Sequence, residues 1–106
     1  MRELETHEEF NDLLKENGGK LIVIDFHAEW CGPCKLMGPK FSAMEGDFPD
    51  AIFAKVDVDE NEETAEEYEV EAMPTFLMFK NGEQVDQMTG ANADTLKDKI
   101  QKNYDE

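Results

Sequence analysis

The chain has little of what stabilises a secreted mini-protein or anchors a protein in a bilayer. Only two of its 106 residues are cysteine, whereas secreted domains of this size often depend on several disulfides. No apolar run approaches roughly 20 residues, the length that spans a bilayer, and residues 1–9 lack the apolar core of a signal peptide. We therefore expect a cytoplasmic protein in a reducing compartment, with no membrane contact.

Basic residues are also scarce. Ten Lys and Arg stand against 26 Asp and Glu, which gives a formal net charge of −16. Such a chain repels phosphate groups, so we expect no nucleic acid and no anionic membrane as partners. An acidic face could instead dock basic proteins, which keeps open the hypothesis of a protein-binding module. At 106 residues, 40% of them hydrophobic, the chain can build one core and is too short for two, so a single domain over residues 1–106 is expected.

Metal and nucleotide sites lack their required residues. The acidic stretch from Asp57 matches three ligand positions of a calcium-binding loop, but Glu62 stands where that loop needs glycine and Tyr68 where it needs glutamate. A zinc site would need His7 and His27 beside the cysteines, and neither has the spacing of a zinc motif. No glycine-rich nucleotide fingerprint is present. We therefore expect no metal and no bound cofactor, and we interpret the acidic stretch as a solvated helix face.

Hydrophobic periodicity predicts strands that alternate with helices. The run 21–24 is apolar throughout, as in a strand covered on both faces. Thr6 with Glu9 forms a capping-box pattern, Pro39 should kink the second helix, and Asn81-Gly82 indicates a hairpin. The pattern predicts an α/β sandwich with a mixed sheet and an antiparallel edge. Strands are expected at 2–4, 20–26, 51–58, 75–79 and 83–88, and helices beginning near 6, 31, 61 and 93.

The two cysteines lie in the run Trp30-Cys31-Gly32-Pro33-Cys34, at a predicted strand-to-helix junction. Residues i and i+3 share a helix face, so the two thiols can close a short ring. A helix N-terminus favours thiolate, so Cys31 in the first turn is the expected nucleophile and Cys34 the resolving thiol. The helix dipole contributes only about 0.3–1 kcal/mol, so neighbouring groups must also favour the thiolate. One alternative, half of a zinc site, is disfavoured because the other two ligands are missing. The other, a purely structural disulfide, is disfavoured because a bond that closes so small a loop stabilises the fold little.

These motifs together resemble the thioredoxin family, with its CGPC type of active site. The likeness covers nearly the whole chain, and the matching segments stand in the family's order and spacing: 23–26, 30–35, Pro39, 55–59, 73–76, 81–82 and 90–91. The resemblance implies a three-layer sandwich with about five strands in a central mixed sheet and about four flanking helices. It also implies a thiol–disulfide oxidoreductase, a protein-disulfide reductase and electron carrier that cycles the Cys31-Cys34 dithiol.

Asp25 follows four apolar residues in a strand that should be buried, and burial would raise its pKa. From the strand alone, a merely structural polar residue at the strand end is an equally good interpretation. The resemblance implies a buried carboxylate that moves the proton of the resolving thiol, so Asp25 would serve Cys34, with Lys55 as its electrostatic partner.

Pro74 would by default only open a strand. In the family it is a cis proline that faces the dithiol, and Met73 beside it would pair with an extended substrate segment. Trp30 would by itself more often be a core residue, and the resemblance places it in a shallow apolar surface around Cys31. That implied substrate-binding surface comprises Trp30, Gly32, Pro33, Val58, Ala72, Met73, Pro74, Gly90 and Ala91.

His27 departs from the family pattern, in which an aromatic or small residue is common at this position. One hypothesis is that a charged His27 ring favours the Cys31 thiolate, an effect that would be lost as pH rises. The simpler interpretation is that the imidazole fills an aromatic slot. Ala72 stands where some animal relatives carry an extra cysteine, so regulation through a third thiol is not available.

The resemblance also implies redox partners. Gly32-Pro33 between the cysteines is similar to the reducing members of the superfamily, whereas oxidant and isomerase members more often have histidine there. Reducing equivalents would come from NADPH through a thioredoxin reductase. They would pass to disulfide-containing proteins such as peroxiredoxins, methionine sulfoxide reductases or ribonucleotide reductase. The chain is expected to be a monomer, and the alternative is an acidic protein-binding module whose dithiol is regulatory.

Overall fold

The computed structural model describes residues 1–106 and contains five strands and four helices. The strands are β1 (Arg2–Glu3), β2 (Ile22–His27), β3 (Ile52–Asp57), β4 (Thr75–Lys80) and β5 (Glu83–Thr89). The helices are α1 (His7–Glu16), α2 (Gly32–Met44), α3 (Glu62–Glu67) and α4 (Ala93–Asp105), with a 3-10 turn at Glu45–Asp47 after α2. None of these helices combines the length and the apolar character that a membrane crossing requires. Every predicted element is present.

The sheet has the order β1-β3-β2-β4-β5. β3 runs parallel to β1 and β2, whereas β4 runs antiparallel to both β2 and β5. Asn81 and Gly82 connect β4 to β5 with φ of 56° and 79°, the positive values that a tight hairpin turn requires at both central positions. The predicted mixed sheet with an antiparallel edge is confirmed.

Two apolar clusters cover the two faces of the sheet. Side chains alternate along β2, so Val23 packs with Met37 of α2, while Ile24 packs with Phe10 of α1 and Ala65 of α3. This confirms that β2 is covered on both faces. Further buried side chains of the helices and of the segment after α2 complete the two clusters: Leu13, Leu14, Phe41, Met44, Phe48, Leu96 and Ile100. Pro39 lies inside α2, and the kink expected there stays a prediction.

The acidic stretch from Asp57 is less solvated than predicted. Asp57 is buried, and its Oδ1 accepts the backbone N–H of Asp59 at 2.9 Å. Asn61 is also buried, because its side chain accepts the N–H of Thr64 at the start of α3 and donates to the Leu4 carbonyl at 3.1 Å. The interpretation as a solvated face was therefore wrong for these two positions, where short polar side chains pair with backbone groups.

Three loops meet at one edge of the sheet, beyond the carboxyl end of β2. The first joins β2 to α2, the second joins α3 to β4, and the third joins β5 to α4. The second and third are linked directly, because the Gly90 N–H donates to the Pro74 carbonyl at 2.9 Å. Gly90 has φ of 110°, a conformation that favours glycine over other residues. Both cysteines lie at this edge.

Candidate active site

Cys31 and Cys34 are joined by a disulfide bond, with their Cα atoms 5.3 Å apart. Cys31 is the N-cap of α2, and its Sγ accepts the backbone N–H of Cys34 at 3.2 Å. The prediction that Cys31 lies in the first turn was off by one residue, because its backbone is extended (φ −90°, ψ 109°) and the helix begins at Gly32. Pro33 fits this start, since proline is well suited to the first turn of a helix.

The disulfide is shielded on most sides. Cys31 and Cys34 are both buried and form a small cluster with Ala28, against which Val58 and Met73 pack. The Cys31 Sγ lies 3.6 Å from the carbonyl oxygen of Met73, which precedes Pro74 through a cis peptide bond. The structure therefore brings two of the predicted surface residues to the dithiol, Val58 and Met73, and Pro74 directly follows Met73.

The remaining predicted surface residues form the exposed rim of the site. Gly32, Pro33 and Ala72 are exposed, and Gly90 with Ala91 occupies the third loop, hydrogen-bonded to Pro74. Trp30 is 66% exposed, so it is not a core residue. An open rim around two buried sulfurs leaves the disulfide approachable from the side of the three loops.

Asp59 is a site residue that sequence reasoning missed. The indole N–H of Trp30 donates to Asp59 Oδ2 at 2.8 Å, which holds an exposed ring against the loop after β3. Asp59 belongs to the acidic stretch, where nothing in the sequence separates it from its acidic neighbours. The contact joins residues 29 positions apart, so local pattern carried no signal for it.

Asp25 lies in β2 on the face covered by α2. It is 3% exposed, and its Oδ1 makes no hydrogen bond. Burial raises the pKa of Asp25 to about 6, while His27 and Lys55 oppose the rise and Glu3 adds to it. Lys55 is the direct partner of Asp25 across β2 and β3. The predicted upward shift of the Asp25 pKa agrees with the structure.

A cleft of about 740 Å³ lies behind Cys34, on the α2 face of the sheet. Its lining includes Cys34, Lys35 and Pro39 from α2, and His27 and Lys55 from the sheet. Cys34 is therefore approached from the cleft, whereas Cys31 contacts the Met73 loop. The two sulfurs have different surroundings, although they are bonded to each other.

His27 is paired rather than simply packed. Its Nε2 lies 3.1 Å from Glu3 Oε2, and the two side chains are 18% and 30% exposed. A ring that only filled an aromatic slot would need no such partner. The ring shares the cleft with Cys34, and the hypothesis that it acts on Cys31 stays a prediction. Glu3 was not singled out from the sequence, because its position opposite His27 depends on how β1 is placed in the sheet.

Two cysteines that close a disulfide across one helical turn, with an open rim on one side, define a protein that exchanges dithiol and disulfide states. No group of three or more His, Cys, Asp or Glu side chains is placed to hold a metal ion. The model of the family Thioredoxin matches residues 2–102. The chain belongs to the thioredoxin family, and its activity is that of a thiol–disulfide oxidoreductase.

The similarity to individual members is high. The thioredoxin of Geodia cydonium is 52% identical over 101 residues, which are 94% of this chain and 95% of that protein. The X-ray structure of Fasciola hepatica thioredoxin is 49% identical and superposes with a TM-score of 0.94, covering 96% of this chain and 98% of that one. A third match is a chain from a structure on the thiol resolving mechanism in yeast mitochondrial 1-Cys peroxiredoxin via glutathione/thioredoxin systems. It is 40% identical with a TM-score of 0.89, and the match covers 96% of this chain and 94% of that one.

These matches bear on the functional alternatives. Members of the family cycle between dithiol and disulfide states, and the bonded pair Cys31 and Cys34 supports this redox function in the chain. The alternative of an acidic binding module with incidental thiols is not favoured.

Proposed function

We propose that Cys31 is the nucleophile and Cys34 the resolving thiol of a protein-disulfide reductase. The observation that carries this assignment is the hydrogen bond from the Cys34 N–H to the Cys31 Sγ, which in the reduced protein would stabilise a Cys31 thiolate. Cys31 also sits at the N-terminus of α2, where the helix dipole favours negative charge. Cys34 lies inside the helix and receives neither benefit in full.

The exchange proceeds in two displacements. The Cys31 thiolate attacks one sulfur of a substrate disulfide, forms a mixed disulfide and releases the other substrate sulfur as a thiolate, which takes up a proton. Cys34 then loses its proton, attacks the Cys31 sulfur and releases the second substrate thiol. Two electrons pass to the substrate, and the Cys31–Cys34 disulfide remains.

Asp25 is the proposed proton acceptor for Cys34. An ordinary thiol has a pKa of about 8.5, so an Asp25 pKa raised to about 6 narrows the gap between the two pKa values to about 2.5. A smaller gap makes the transfer less uphill. Lys55, opposite Asp25, is proposed to limit how far the Asp25 pKa rises.

The rim is proposed to bind an extended segment of the substrate. The backbone N–H of Met73 makes no hydrogen bond within the chain, although the loop around it is held by the Gly90–Pro74 hydrogen bond. A substrate strand could pair with this free backbone beside Cys31. The proposed surface is Trp30, Gly32, Pro33, Val58, Ala72, Met73, Pro74, Gly90 and Ala91.

The finer assignments are proposals, supported by membership in the family. Residues 1–106 are proposed to form one domain that acts as a monomer in the cytoplasm and contributes to cell redox homeostasis. Electrons are proposed to come from NADPH through a thioredoxin reductase and to pass to disulfide-containing proteins. Peroxiredoxins are one proposed target class, supported by the subject of the yeast structure. Methionine sulfoxide reductases and ribonucleotide reductase are the others.

Reduction of insulin disulfides tests the proposal. With NADPH and a thioredoxin reductase, the protein should consume NADPH continuously, and Cys31→Ser should abolish turnover. In a parallel assay, dithiothreitol takes the place of NADPH and the reductase. This assay detects activity even if the chosen reductase does not recognise the protein. Absence of turnover in both assays, with both cysteines intact, would overturn the proposal.

A further inference from the structure

A row of charged side chains crosses the sheet beneath α2. Glu3 of β1 is the strand partner of Lys55 in β3, and Lys55 is the partner of Asp25 in β2. Partnered residues project from the same face of a sheet, and so do residues two apart in one strand. His27, two residues after Asp25, therefore lies on the same face and belongs to this row.

The contact between His27 and Glu3 crosses the row diagonally. His27 Nε2 lies 3.1 Å from Glu3 Oε2, which is hydrogen-bond distance, and both side chains are partly buried. The His27 ring also lines the cleft that contains Cys34. The His27 ring thus lies on the same face of the sheet as Asp25 and lines the same cleft as Cys34.

We propose that His27, held in place by Glu3, is a positioning residue for the proton step at Cys34. Its positive charge acts on Asp25 along β2 and favours the carboxylate form that accepts the Cys34 proton. The inference rests on the proposed role of Asp25. No covalent step changes, because His27 acts through the charge of Asp25 and does not contact the substrate.

The direction of the effect follows from the charges that face Asp25. His27 is the strongest group holding the Asp25 pKa down, followed by Lys55, whereas Glu3 and burial raise it. A positive charge on the His27 ring and the ionised Asp25 carboxylate stabilise each other, because opposite charges attract. Loss of the ring charge should therefore raise the pKa of Asp25.

Other charged groups face the cleft and also contribute to the electrostatic potential at Asp25 and His27. Asp57 is the strand partner of His27, but its Oδ1 already accepts two backbone N–H groups from the loop after β3. Three more groups reach the cleft from the other elements that enclose it: Glu29, Lys35 and the chain terminus at Met1. None of these groups is replaced in the variants, so their contribution to the Asp25 titration midpoint is the same in all of them.

The test measures Asp25 directly in the reduced protein. The ¹³C chemical shift of the Asp25 carboxyl carbon is followed by NMR between pH 4 and pH 9, in the starting protein and in three variants. His27→Phe and His27→Gln remove the charge, the first keeping the ring volume and the second keeping a hydrogen-bond donor toward Glu3. His27→Lys keeps a cation opposite Glu3.

Both neutral variants should raise the titration midpoint of Asp25 by about half a pH unit. This is the expected effect of removing one charge several ångströms away, when the effective dielectric constant lies between the values for protein and for water. His27→Lys should leave the midpoint near its starting value. Because Asp25 must be ionised to accept the proton, the acid limb of the kcat/KM profile for insulin reduction should move to higher pH in the neutral variants alone. If the ring had a purely structural role, the Asp25 midpoint and the acid limb would not shift in both neutral variants while staying unchanged in His27→Lys.

His7→Phe is the matched control. His7 is the other histidine of the chain and also contacts a glutamate, with Nε2 3.2 Å from Glu67 Oε1, but it lies in α1 on the opposite face of the sheet. It should not move the Asp25 midpoint. An unchanged midpoint in both neutral variants, or an equal shift in His27→Lys, would overturn the inference. Failure of the starting protein to reduce insulin would instead overturn the proposed function, and the NMR titration would remain interpretable.

Discussion

The backbone N–H of Cys34 points at the Sγ of Cys31 across 3.2 Å, which makes the two sulfurs of the disulfide inequivalent. Only Cys31 occupies the N-cap position, where a helix provides free N–H groups and the positive end of its dipole. We therefore expect the reduced protein to carry its negative charge preferentially on Cys31. The proposed order of attack, Cys31 first and Cys34 second, depends on this asymmetry.

Cys34→Ser should trap substrates, and Cys31→Ser should not. Without the resolving thiol, the mixed disulfide on Cys31 cannot be released, so incubation with a disulfide-containing protein should accumulate a covalent complex. The complex is measured by non-reducing electrophoresis and located by mass spectrometry. A complex that formed equally through Cys34 in Cys31→Ser would contradict the assigned order of attack.

Asp25→Asn should stabilise the folded protein at neutral pH while slowing turnover. The Asp25 pKa is raised from 3.8 to about 6, so between these values the folded protein binds more protons than the unfolded chain and stability falls as pH rises. The ionised carboxylate thus destabilises the fold above about pH 6, by up to about 3 kcal/mol at about 1.36 kcal/mol per pKa unit.

Urea unfolding of the oxidised protein at pH 4 and pH 8 measures this difference. The variant should exceed the starting protein in the free energy of unfolding at pH 8, and the difference should shrink toward pH 4. Insulin reduction by the variant should fall by roughly 100-fold, the lower end of typical general acid–base contributions. A stability difference independent of pH would show that Asp25 is not the group that titrates.

Trp30→Ala should impair substrate binding with little effect on stability. The ring is exposed, and its hydrogen bond to Asp59 lies at the surface, so the free energy of unfolding should change by less than about 1 kcal/mol. The loss should appear mainly as a higher KM for protein disulfides. Asp59→Ala leaves the ring in place without its partner, and because Trp30 is the only tryptophan, its fluorescence anisotropy should fall in this variant. Unchanged kinetics in Trp30→Ala would remove it from the substrate-binding surface.

Gly90→Ala should reduce both stability and activity. A φ of 110° strains any residue with a Cβ, at a cost of roughly 1–3 kcal/mol, and relaxation of that strain would shift the N–H bonded to Pro74. Gly19→Ala is the matched control, since Gly19 has φ of 91° in a turn on another part of the chain. Both variants should unfold at lower urea concentrations, but only Gly90→Ala should raise the KM for insulin. Equal kinetic effects would contradict the link between Gly90 and the substrate-binding loop.

Much of the site could be predicted because its determinants are local. The dithiol follows from two cysteines one helical turn apart, and the hairpin from two residues that tolerate positive φ. The raised pKa of Asp25 follows from its place in an apolar, buried strand. The one-residue error at Cys31 has the same origin, since helix boundaries depend on capping geometry that a periodic pattern does not resolve.

The order of strands and helices and the chemistry of the cysteine pair could be inferred from local sequence patterns, and the family could be inferred from resemblance. The contacts between distant residues became known from the fold alone: Glu3 with His27, Trp30 with Asp59, and Cys31 with Met73. Such contacts depend on strand order and register, which are settled by packing of the whole core rather than by any short segment. Burial of Asp57 and Asn61 within the acidic stretch was decided in the same way, because a polar residue is buried only where the fold supplies hydrogen-bond partners.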